Sequence, residues 1–166
     1  MLLCIVLVAT VRCGPQSETL SWELVETLIA REFPHVPSVT TNELAAVLRA
    51  GHRVVLLDVR EQEEFAISHL KDAHWIDSAD NATSLVSRLH PNSLVVAYCS
   101  VGYRSATMVA ELRSRGYVNV VNLEGSIFAW ANEGRPIFLD GTLVEEVHPF
   151  NEVWSKLLSP NLRYVE

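Results

Sequence analysis

Two unbroken apolar runs of strand length, VVLLD at residues 54–58 and LVVAY at 94–98, limit the fold more than any other feature. A strand buried on both faces reads this way, and burial on both faces requires helices above and below the sheet. The segments between the runs carry helical spacing. WELVETLIAREF, with Leu20, Leu24, Leu28 and Ile29 in register, predicts a helix capped at Ser17 and ended by Pro34 and Pro37. Thr40 with Glu43 forms a capping box for ELAAVLRA, and Gly51 stands where that helix should stop. A short acidic helix at EQEEF, a strand at AHWI and a polar helix near ATSLVSRL follow. After LVVAY come the helix SATMVAELRSRG, the strand VNVVNL and the helix GSIFAWANEG. Strands alternating with helices imply crossover connections and a mainly parallel sheet, hence an α/β fold. At 166 residues and 49% hydrophobic content the chain suits one domain with short extensions.

The charge narrows the partners. A formal net charge of −7, with no basic run to offset it, argues against nucleic acid and anionic membranes. Cys4, Cys13 and Cys99 are odd in number and unrelated in spacing, so a disulfide framework is not expected. His69 and His74 do not share a helical face, and His35, His52, His90 and His148 are isolated; no metal and no cofactor are expected. The first residues, MLLCIVLVATV, match the apolar part of a signal peptide in length, but no Lys or Arg precedes them. Export and a cytoplasmic location both stay open, and Asn81-Ala82-Thr83 would become a glycosylation acceptor only in a secreted eukaryotic chain.

Cys99 ends the second buried strand, where the chemistry of open α/β sheets collects. Ser100, Val101, Gly102, Tyr103 and Arg104 then lead directly into a helix expected to be capped near Ser105. Gly102 permits a tight turn that aims successive N–H groups inward at a helix amino terminus, a setting that favours an anion. A thiolate is such an anion. Loop amides, the helix end and Arg104 are therefore expected to lower the Cys99 pKa and yield a nucleophile, in preference to a merely buried thiol.

The stretch from Cys99 to Ser105, preceded by VVAY, closely resembles the active-site loop of rhodanese-like sulfurtransferases. Leu57-Asp58-Val59-Arg60 with Glu63-Glu64-Phe65, Ser68-His69-Leu70 with Ala73 and Ile76, and Leu123-Glu124-Gly125 with Ala129-Trp130 resemble further motifs in the family's order. The resemblance implies a three-layer fold with a five-stranded parallel sheet flanked by helices. It divides the chain into an apolar segment (1–16), a helical extension (17–37), a rhodanese-like domain (38–137) and a carboxy-terminal extension (138–166). It also implies a Cys99 persulfide formed from a small sulfur donor and discharged to cyanide or a thiol, including a protein thiol, by a monomer or weak dimer. Ser100, Val101, Gly102, Tyr103 and Arg104 would line the substrate. Asp58, Arg60, Glu124 and Ser105 would support them, with Asp58 and Arg60 as an internal ion pair. Arg104 would either hold the donor's anionic group or pair with Glu124.

Departures from the pattern carry expectations too. Ser100 and Val101 stand where thiosulfate-preferring members place basic side chains, so thiosulfate is expected to be a poor donor. Asp72 and Ser126 replace glycines, the first at a surface turn and the second at the rim of the site. Four residues separate Cys99 from Arg104 where cysteine phosphatases of this fold typically have five, which disfavours phosphoryl chemistry. The stronger alternative is a non-catalytic protein-binding module. In the tail, Val153, Trp154, Leu157 and Leu158 have helical spacing and predict a short amphipathic helix docked on the domain.

Overall fold

The computed structural model describes residues 20–165; the apolar amino terminus, Cys4, Cys13 and Ser17 lie outside them. Helix α1 (Trp22–Glu32) is capped by Ser21, whose side chain accepts the Leu24 N–H at 3.2 Å, four residues beyond the expected cap. Helix α2 (Thr41–Arg49) begins with the reciprocal Thr40–Glu43 capping box. Strands β1 (Ser38–Val39), β2 (Val54–Asp58), β3 (His74–Trp75), β4 (Leu94–Tyr98) and β5 (Val120–Leu123) form one parallel sheet in the order β1-β5-β4-β2-β3. β1 has only two residues, too short to show a period, and is missed by pattern alone.

Successive residues of a strand point to opposite faces. Leu56, Val96, Tyr98 and Leu123 pack on one side with Val25 of α1, Leu44 of α2 and Ile127 and Phe128 of helix α6 (Ser126–Asn132). Leu57, Val95, Ala97 and Val120 pack on the other with Ala82 and Val86 of helix α4 (Ala79–Val86) and Val109 and Leu112 of helix α5 (Tyr103–Ser114). The fold therefore has three layers. The short helix α3 (Gln62–Phe65) follows β2. From β2 the chain runs outward to β3, and from β4 it runs the opposite way to β5, so the direction of winding reverses at β4. Ligand crevices of open α/β sheets lie beyond the carboxyl ends of strands at such a reversal.

Beyond α6 the chain forms an antiparallel hairpin of β6 (Ile137–Leu139) and β7 (Thr142–Val144), which no sequence period announced. The tail makes 3-10 turns at Trp154–Leu157 and Pro160–Leu162 instead of the expected α-helix. Leu158 is extended and Pro160 follows, so the turn cannot propagate. Leu157 and Leu158 are nevertheless buried, and Asn132 of α6 clasps them, donating to the Leu157 carbonyl at 2.7 Å and accepting the Ser159 N–H at 2.8 Å.

Candidate active site

Cys99 follows β4 at the winding reversal, in the loop that becomes α5. Helix α5 starts at Tyr103, two residues earlier than expected. Its cap is Gly102 at φ +109°, a conformation that a side chain at 102 would strain. A β-carbon there would also come within 3.3 Å of Ile29 Cδ1 and 3.5 Å of Asn122 Nδ2. The turn directs the Gly102 N–H to Cys99 Sγ at 3.2 Å. On its other side the loop turns carbonyls towards α6, whose Ile127 and Phe128 N–H groups donate to Cys99 and Ser100 at 3.2 and 3.1 Å. These are donors that a helix start leaves unpaired. The two strand-to-helix turns thus hold each other.

Ser126 belongs to this lock, not to the rim. At φ +51° it accepts the Cys99 N–H on its Oγ and donates to the Leu123 carbonyl, both at 3.1 Å. Asn122 of β5 adds a third tie, donating to the Gly102 carbonyl at 3.1 Å.

Arg104 does not pair with Glu124. It forms a two-pronged ion pair with Glu64 of α3, at 2.7 and 2.9 Å, and Glu61 stands 3.8 Å away. Ser100 bridges the pair, donating to Glu64 at 2.8 Å and accepting from Arg104 at 2.9 Å. Glu124 instead accepts a hydrogen bond from Ser38. Glu64 is almost fully buried, which alone would raise its pKa. The Arg104 guanidinium, the Glu61 amide and the Ser100 hydroxyl outweigh that and hold its carboxyl below the usual range.

The same competition acts on the thiol. Burial pushes the Cys99 pKa up, but the Arg104 charge, Ser105 and the Gly102 N–H more than compensate, and the pKa is lowered. Ser105 Oγ is buried without a hydrogen bond, although its hydroxyl lies close enough to favour the thiolate. It is within reach of the sulfur without being bonded to the thiol.

The expectation of an ionisable thiol and that of a reachable one come apart here, because Cys99 is only 1% exposed. Both chain extensions cover the surrounding loop. Ile29 of α1 lies on Gly102, Phe33 meets the edge of Tyr103 at 5.3 Å, and Phe150 of the tail lies 4.5 Å over the Arg104 guanidinium. Val101 is buried, and Tyr103 is 36% exposed between α1 and solvent.

Asp58 and Arg60 form a fully buried pair at 2.6 Å, with the guanidinium also donating to the Ser68 carbonyl, which ties β2 to the segment after α3. Among the described residues no cluster of three or more His, Cys, Asp or Glu could hold a metal, and no helix is long and apolar enough to cross a membrane.

A parallel three-layer α/β sheet whose central strand ends in a cysteine cradled at a helix amino terminus defines a cysteine-loop α/β domain. Its family is specific: the rhodanese-like domain matches residues 40–133, and the chain belongs to that family. It is 34% identical over 100 residues to a probable adenylyltransferase/sulfurtransferase, MoeZ, of Mycobacterium tuberculosis, covering 60% of this chain and 26% of that protein. The chain thus spans about a quarter of that relative's length. It is also 34% identical to a sulfurtransferase of Allochromatium vinosum, covering 61% of this chain and 94% of that one. A rhodanese-like domain protein of Staphylococcus aureus has a similar crystal structure, with TM-score 0.53, 31% identity, and coverage of 63% of this chain and 98% of the other.

Proposed function

We propose that the protein is a sulfurtransferase that carries a sulfane sulfur on Cys99 between a small donor and a thiol or cyanide acceptor. The observation behind this reading is the sulfur's setting, in which a guanidinium, a loop amide and Ser105 favour the anion despite burial. In the first half-reaction the Cys99 thiolate attacks the donor's outer sulfur. The donor's S–S or C–S bond breaks with its electron pair on the leaving group, and Cys99–S–S⁻ remains. In the second, the acceptor attacks the terminal sulfur and the electron pair of the enzyme's S–S bond returns to Cys99.

The Gly102 N–H and the unpaired Ser105 hydroxyl would stabilise sulfur anions in both steps, as preorganised dipoles do without reorganising during reaction. Arg104, already committed to Glu64, acts on the thiolate through its charge and holds the loop, and is poorly placed to grasp an anionic donor as well. Transfer also requires the cover over the loop to open, because a 1% exposed residue cannot be attacked from solvent.

That same burial favours a second reading, a rhodanese-like module that binds another protein without chemistry. Peptide mass spectrometry separates the two. After incubation with thiosulfate, mercaptopyruvate or inorganic polysulfide, the Cys99 peptide should gain the mass of one sulfur. The gain should vanish on adding a thiol and be absent in Cys99→Ser. No adduct from any of the donors would leave the binding module as the surviving account.

A further inference from the structure

A cleft of about 400 Å³ opens between α2, the segment after α3 and β6, and neither the cysteine loop nor α1 takes part in it. Its floor is the core itself: Leu56 of β2, Leu70 and Trp130 of α6 line it and are otherwise buried. Clefts of roughly 300–1,000 Å³ with apolar walls and a few polar groups are the usual form of a small-molecule site.

The charges around the cleft are the reverse of the chain's. Arg49, Lys71 and Arg135 stand there against Asp72 alone, in a protein of net charge −7. Arg135 is already committed: it lies 5.2 Å over the Trp130 ring, pairs with Glu133 at 2.7 Å and donates to Asn42 at 2.7 Å. Arg49 and Lys71 are not. Both are exposed, and among the described residues neither forms an ion pair. The Lys71 ammonium instead lies 6.0 Å from the Phe138 ring in the same wall. Two unpaired cations less the Asp72 carboxylate leave one positive charge for a ligand to answer.

An apolar monocarboxylate fits both halves of the cleft. Its tail covers the core side chains of the floor. The planar fork of Arg49 matches the two oxygens of its headgroup. Its single negative charge balances the wall, which a doubly charged phosphate monoester would exceed. We infer that the cleft is a binding site for a small apolar monocarboxylate, with Arg49 and Lys71 holding the carboxylate and Leu56, Leu70 and Trp130 the tail.

Two N–H groups of the lining residues report on occupancy. The Leu70 amide donates to the Tyr98 hydroxyl at 3.0 Å, and the Trp130 indole donates to the Pro136 carbonyl at 2.9 Å. The full chain, labelled with ¹⁵N, is titrated with octanoate, 1-octanol and octylammonium, which share one tail and differ in the head. Both reporters should shift saturably in ¹H–¹⁵N NMR spectra. Octanoate should bind about fivefold tighter than octanol, within what two exposed cations sustain, and octylammonium weakest of the three. Hexanoate, shorter by two methylenes, should bind about tenfold more weakly than octanoate. The Arg49→Gln, Lys71→Gln double variant, which removes no ion pair from the fold, should bring octanoate level with octanol. Reporters that do not shift saturably overturn the site. So does octylammonium binding as tightly as octanoate, or an octanoate preference that survives the double substitution. Hexanoate binding as tightly as octanoate would show that the apolar floor is unused, and overturns it equally. None of these readouts involves Cys99, so the outcome is independent of sulfur transfer.

Discussion

Arg104 links the two anions of the site, since its guanidinium lowers the pKa of both Glu64 and Cys99. Arg104→Ala should therefore raise the pH midpoint of Cys99 alkylation by iodoacetamide, because it removes the guanidinium charge that helps hold the thiol's pKa below its ordinary value. For an acid whose folded pKa is lowered, the stabilisation is complete above its unfolded pKa and is lost as pH falls through the folded one. Native stability relative to Cys99→Ser should thus grow as pH rises towards that unfolded value, and the growth should shrink in Arg104→Ala. The substitution also leaves Glu64 buried without its partner. Denaturant unfolding should show a loss of about 1–3 kcal/mol, discounted because Arg104 is itself partly exposed. An unmoved alkylation midpoint would show that the loop amide and Ser105 suffice. The thiol and its arginine were legible in the sequence because they are local, a strand end and a helix start. Glu64 and Ser126 were not, since their partners lie 40 and 27 residues away and only the strand order brings them together.

Helix α1 shows how a single element sets access. Its inward face carries Val25, Trp22 and Ile29 into the core, but among the described residues segment 20–36 makes no hydrogen bond to the rest of the domain. It is held by apolar contact alone, which has no preferred direction and can be relieved piecemeal. An element so held belongs with those that open locally below the global unfolding free energy. Ile29→Ala removes the contact on Gly102. It should speed alkylation of Cys99 severalfold and cost about 1–2 kcal/mol, less than a fully buried isoleucine because the site is half-buried. Lost stability with unchanged alkylation would mean that α1 is not the gate. The amphipathic period of α1 was plain in the sequence, as was the capping box of α2. The hairpin β6–β7 and strand β1 were not, because two or three residues are too few to display a period.

Residues 40–133 contain the sheet's three longest strands, the cysteine and its arginine, yet the thiol's surroundings are completed from outside them. Helix α1 and the residue that caps its end supply Ile29 and Phe33, and the tail supplies Phe150, held at φ +64° over Arg104. A phenylalanine in that region is strained by about 1 kcal/mol or more, so the rest of the tail must fix it there. The fixing contacts are visible. Val147 exchanges backbone hydrogen bonds with Leu162 and Tyr164 at 2.7 and 3.0 Å, Leu157 and Leu158 enter the core, and Asn132 clasps the turn between. Ending the chain at Pro149 removes both leucines, each worth about 1.5–3 kcal/mol when buried. The melting temperature should then fall by on the order of 10 °C. The same truncation strips Phe150 from Arg104, so Cys99 should react faster with neutral electrophiles below that new melting point. Unchanged melting would make the tail a free arm despite its buried leucines. A lower melting point with unchanged thiol reactivity would assign it to stability alone and leave α1 as the sole cover, since packing against the domain and covering the loop are separable tasks of one segment.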